Sequence, residues 1–242
     1  MIGFLLRRER LFKMAAVQSR RLPLFNLMKR KPLPILWMVT AFAVAMSLAV
    51  AVLALKGTDT KAIVMALRIT ARWAFMLFWL AYAGGAIATL FGPVFAPIAR
   101  RGRELGLAYA SAMLIHIGLV VWLFQISPTP PLSGRGFNFF VTGIVFTYLL
   151  AVFSVDWLAA SLGPTGWRVL RFVGTNYILY AFATDFVNPV IRPPMGQHGL
   201  LIQVAYMPFA LMCFAGPLLV LAATARRLGA RYRGSELRPV AN

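Results

Sequence analysis

Between Leu105 and Ile126 the chain reads LGLAYASAMLIHIGLVVWLFQI, twenty-two residues without one Asp, Glu, Lys or Arg. As a helix rising ~1.5 Å per residue, this stretch is long enough to cross a hydrocarbon layer of about 30 Å. It has no period-two alternation and is too long for a barrel strand. In lipid the backbone must satisfy its own donors and acceptors, so a helix is the remaining solution. Its flanks agree. Arg100, Arg101 and Arg103 precede it, and Ser127-Pro128-Thr129-Pro130-Pro131 after it cannot continue a helix.

Five more stretches read the same way: 33–55, 63–92, 138–158, 168–190 and 200–224. Short polar breaks separate them: Lys56-Gly57-Thr58-Asp59-Thr60-Lys61, Gly163-Pro164-Thr165-Gly166 and Arg192-Pro193-Pro194-Met195-Gly196. The expected fold is therefore all-α, an integral membrane bundle of six transmembrane helices. Its organisation is a basic arm over 1–32, a six-helix domain over 33–225 and a basic tail over 226–242. No internal repeat and no soluble domain is visible.

Composition supports this class. Of 242 residues 60% are hydrophobic and 13% charged, against roughly 25% charged in an average soluble domain. So apolar a chain is not intrinsically disordered. The formal charge of +19 first points to nucleic acid, but the cations are grouped in short segments between the apolar stretches. The arm, the second-third connection, Arg168 and Arg171, and the tail together hold nineteen of the twenty-five Lys and Arg. Under the positive-inside rule that face is cytoplasmic, with both termini there, as an even number of spans requires. The expected partner is a lipid bilayer, not nucleic acid. The arm is too long and the 33–55 stretch too apolar for a cleaved signal, so the first span is read as retained. Met1 and Met14 both qualify as the start. One cysteine, Cys213, excludes a disulfide framework.

Ionisable groups inside spans are costly, which makes each a candidate for function. His116 lies near the centre of the third span, with Ala108 and Ala112 on the same face. An imidazole beside small residues suits a flat, iron-bearing ligand; a histidine bonded to a neighbouring helix is the plainer reading. Asp156 ends the fourth span at the depth where Arg168 and Arg171 begin the fifth, so a salt bridge is expected there. Asp185, near the outer end of the fifth span, is expected to pair with Arg68 or Arg72 on the second, because any of these charges alone in lipid is expensive. Ala81, Gly85 and Thr89 recur every four residues and predict a close-packing helix face.

From about Ala66 to Val187 the order of features resembles the ferric-reductase-like transmembrane domain family, in its small bacterial MsrQ/YedZ-like branch. The pieces are Ala66-Leu67-Arg68, Arg100-Arg101, Leu105-Gly106-Leu107 leading into Leu114-Ile115-His116, Ser154-Val155-Asp156, Leu162-Gly163 and Trp167-Arg168-Val169-Leu170-Arg171. The resemblance implies a core over about 62–190 that holds haem b, passes electrons across the membrane and works beside a redox partner protein. It also implies a bacterial inner membrane as the location, and histidine ligands on the third and fifth spans. His116 stands at the third-span position, as a candidate ligand to haem iron. The fifth span departs from the pattern, with Arg171 and Thr184 or Asp185 where histidines belong. His198 is the only other imidazole, past the fifth span, and Met113, Met195 and Met207 are further donors without a favoured spacing. Three readings follow: a haem-bearing electron-transfer subunit, a haem-free and non-enzymatic membrane subunit or scaffold, and a small transporter with Asp185 and Arg68 on its path.

Overall fold

The computed structural model describes residues 33–132, 134–193 and 199–236. Every regular element among them is helical: α1 Leu33–Lys56, α2 Thr60–Phe91, a single 3-10 turn Pro93–Phe95, α3 Ala96–Arg100, α4 Gly102–Ile126, α5 Gly134–Val152, α6 Asp156–Ile191 and α7 Gly199–Glu236. Five of these, α1, α2, α4, α5 and α7, are long and apolar enough to cross a membrane. The arm over 1–32 and residues His198 and Met195 lie outside the described residues, as does the end of the tail.

α1, α2 and α4 run within a turn of their expected limits. The lower half of the chain differs. The helix expected over 138–158 is α5 and stops at Val152, so Asp156 ends no span; it stands in the first turn of α6. A carboxylate is favoured there by the amide dipoles of a helix start. The break expected at 163–166 is a kink inside α6, not a loop. Gly163 holds φ 68°, ψ 169°, a conformation open almost only to glycine, and Pro164 restarts the helix where a missing N–H costs nothing. The segment after the kink is long enough to span but carries Arg168, Arg171, Asn176, Asp185 and Asn188, and it is not among the five. α7 extends well past residue 224, because Ala222, Ala223, Ala225, Leu228 and Ala230 are strong helix formers that carry it into the basic tail.

Side-chain hydrogen bonds order the bundle around α2. Trp73 Nε1 donates to the Ala41 carbonyl of α1, Trp79 Nε1 to the Met212 carbonyl of α7, and Tyr82 Oη to Asn176 Oδ1 of α6. The outer neighbours are linked in turn. Ser111 donates to the Met38 carbonyl, Tyr148 to Ala110, Tyr177 to Phe139, and Gln203 Nε2 to Val190. Each bond fills a backbone acceptor or a ring N–H that lipid could not satisfy. At the basic end, Arg226 donates to the Thr89 and Leu90 carbonyls and Arg227 to Thr89 Oγ1, so two cations of α7 cap the open C-terminus of α2.

The exterior is apolar, with Ile35, Leu36, Val50, Val145, Phe172, Leu201, Leu211 and Leu221 all exposed, as a lipid-facing surface requires. The interior pairs alanines with aromatic rings. Ala41, Ala45, Ala66, Ala74, Ala108 and Ala112 let α1, α2 and α4 approach closely. The expected small face of α2 is displaced by one residue. Gly84 is the buried glycine, and a Cβ there would lie 2.7 Å from Ile98 Cγ2 of α3, whereas one at Gly85 would meet nothing within 4 Å. The regular i, i+4 spacing chose the wrong stripe because α3 docks on the side of Gly84.

Candidate functional site

The residues singled out from the sequence fall into three places. The first is His116, partly buried on α4. Its Nδ1 lies 3.2 Å from Thr70 Oγ1 of α2. Thr70 Oγ1 also lies 2.9 Å from the Ala66 carbonyl and 3.1 Å from that of Leu67 on its own helix. The contact with His116 can run in either direction, according to which imidazole nitrogen carries the proton. The ring also bonds the backbone of Leu67, so α2 holds it at more than one point. Thr70 escaped the sequence reading because a helical threonine bonded to its own i−4 carbonyl carries no signal of a further partner.

The second place is the charge cluster. Arg68 and Arg72 of α2 both act electrostatically on Asp185 of α6, with Tyr206 and Cys213 of α7 in the same field. Asp185 has no guanidinium nitrogen within 4.0 Å among the described residues, so the group is a loose cluster, not a closed ion pair. Arg72 is occupied otherwise: its guanidinium carbon stands 4.6 Å from the Tyr206 ring centre and 5.5 Å from that of Phe209. Two aromatic faces partly replace the water a cation loses in lipid.

The third place is Asp156. The structure pairs it with Arg103 at 3.3 Å, with side chains 42% and 58% exposed on the arginine and aspartate. Arg103 is a partner that the sequence reading, which named Arg168 and Arg171, did not include. Because the chain turns at Val152 and bends again at Gly163, Asp156 is brought beside the start of α4. A pair this exposed is screened and contributes little to stability.

These places do not form one site. Thr70 is two residues from both Arg68 and Arg72, about 200° around α2 from each, so His116 meets the side of α2 turned away from the arginines. Asp185 approaches from the other side. Between α2, α6 and α7 the space is filled with rings. Phe75, fully buried, contacts Phe182 at 5.1 Å, Phe186 at 5.0 Å and Phe209 at 6.2 Å between centres. Where α4 does face α6, two turns from His116, the residue is Tyr109, packed on Phe182 at 6.1 Å and Phe78 at 5.3 Å. Tyr109 is anchored by a hydrogen bond of 3.0 Å between its hydroxyl and that of Thr147, which also lies 2.9 Å from the Gly143 carbonyl.

The fit to haem can be judged from this packing. An imidazole is a metal-ligand type, but the ring of His116 is held by Thr70 and by the Leu67 backbone. Its surroundings do not suit a macrocycle between α4 and α6. Ala108 and Ala112 are buried in the core, the α4–α6 space holds Tyr109 and Phe182, and α6 offers no imidazole. Met113 is buried in the same core, and Met207 is exposed. No group of three metal-binding side chains occurs among the described residues.

Fold and site together define an all-helical protein with several membrane-type helices and a split set of intramembrane polar groups. No family model matches the chain, and neither a curated protein nor a solved structure matches it.

Proposed function

We propose that the chain is a six-span protein of a bacterial inner membrane, both ends cytoplasmic, acting as a haem-free and non-enzymatic membrane subunit. The sixth span is the part of α6 beyond Gly163. Its Arg168 and Arg171 sit toward the end where Arg226 and Arg227 cap α2, and its Asp185 is offset by Arg68 and Arg72. The ferric-reductase-like resemblance accounts for the order of motifs and for His116. What carries the haem-free reading is the ring packing of Tyr109 and Phe182, which fills the space between the third and fifth spans.

The test is an absorption spectrum of protein purified from haem-replete cells, oxidised and then dithionite-reduced. The expected preparation is colourless. A Soret band present in the native protein and lost in His116→Ala would overturn the proposal and restore an electron-transfer subunit with haem b on His116.

One observation favours a second reading, a small transporter: Asp185 is exposed on an open groove without a closed ion pair. Ion-driven uptake in proteoliposomes that disappears in Asp185→Asn would select it. Equal uptake by protein-free vesicles would exclude it.

A further inference from the structure

A groove of about 630 Å³ opens between α5 and α6, at the end of the bundle away from the arginine caps. Arg135 and Asp185 stand on its walls, with Phe139, Phe140, Tyr180 and Asn188. Both charged side chains are exposed, and no ion pair within 4.0 Å joins them. The groove therefore keeps a cation and an anion apart, with aromatic surface between them. Lipid-facing residues continue along both helices, Val141 and Val145 on α5 and Val173 on α6, so the groove is open to the acyl region.

The chemistry of an occupant follows from the charges. Arg68 and Arg72 act electrostatically on Asp185, and Arg135 lines the same groove. Three cations against one acid favour a ligand of net negative charge. Asp185 receives no hydrogen bond among the described residues, and a carboxylate in apolar surroundings needs donors. An ammonium would supply donors but would add a positive charge to an already positive cluster. Hydroxyl groups supply them without charge.

We propose that this groove binds an anionic phospholipid with a hydroxylated headgroup, of the phosphatidylglycerol kind. Its phosphate lies on Arg135, its hydroxyls donate to Asp185 and Asn188, and its chains run along Phe139, Phe140 and Tyr180. Arginine suits the phosphate because its planar fork offers two parallel donors. The site deepens the membrane-subunit reading and rests on it only for the depth of the groove in lipid.

Native mass spectrometry of detergent-purified protein, titrated separately with phosphatidylglycerol, phosphatidic acid, phosphatidylethanolamine and phosphatidylcholine, tests it. Phosphatidylglycerol is expected to be retained about tenfold better than phosphatidylcholine, the scale of one charge-assisted contact. Arg135→Gln, on an exposed first turn, should remove that difference. Asp185→Asn should abolish the preference for phosphatidylglycerol over phosphatidic acid while binding of phosphatidic acid holds or rises, because an acid has been removed. Equal retention of phosphatidylglycerol and phosphatidylcholine would overturn the proposal, as would full retention in Arg135→Gln. Stronger retention of phosphatidylethanolamine would overturn the charge argument. None of these outcomes depends on haem or on topology, so the two readings can fail separately.

Discussion

His116 is held to α2 by Thr70 Oγ1 and by the Leu67 backbone, which ties α4 to α2 at mid-helix. Thr70→Val keeps the shape and removes the hydroxyl. It is expected to destabilise the protein by about 0.5–1.5 kcal/mol, the net worth of one hydrogen bond. Thr70→Val combined with His116→Leu should recover much of that loss, because removing both partners is cheaper than removing one. Thermal unfolding in detergent, carried out as a double-mutant cycle, checks both. His116 was legible in the sequence, since a histidine in an apolar run has few neighbours to hide among. Its partner was not, because pairing depends on which faces of two helices meet.

At the level of elements, the backbone of α6 is the most constrained feature. Gly163→Ala must place a Cβ at φ 68°, ψ 169°, and is expected to cost on the order of 1–3 kcal/mol. Pro164→Ala should cost far less, because the first position of a helix needs no N–H. The difference between the two melting shifts is the measurement. Gly84 tests a different contact. Gly84→Ala would force Ile98 to move and should lower stability, and adding Ile98→Ala should relieve the clash. Five membrane-type helices were legible because length and hydropathy determine them. Glycine and proline at 163–166 announced an interruption, but sequence could not distinguish a loop from a kink. That choice depends on whether the helix resumes, and Thr165, Trp167 and Val169 do not oppose it. The same limit explains the pairing of Asp156 with Arg103, a residue of a distant helix brought near by two bends.

Across the whole molecule, the lone buried cysteine gives a clean topology experiment. Cys213 is 4% exposed and should resist a membrane-impermeant maleimide in intact cells. Under the six-span reading, Thr58→Cys should be labelled from outside and Ala225→Cys only after the inner face is opened. Labelling of both from one side would leave α6 outside the membrane or reverse part of the bundle. The class of the fold was readable from composition and run length, whereas the division of polar groups between two sides of α2 was not. It follows from helix rotation, on which Arg68, Thr70 and Arg72 fall apart by simple angular arithmetic. That arrangement has a consequence for biosynthesis. α2 leaves the ribosome with two guanidinium groups long before Asp185 and the rings of α7 that later surround them. At ordinary elongation rates the wait is on the order of ten seconds. During it the insertion machinery, or water held within it, must shelter the two charges, so α2 should be released into lipid late and together with α6 and α7.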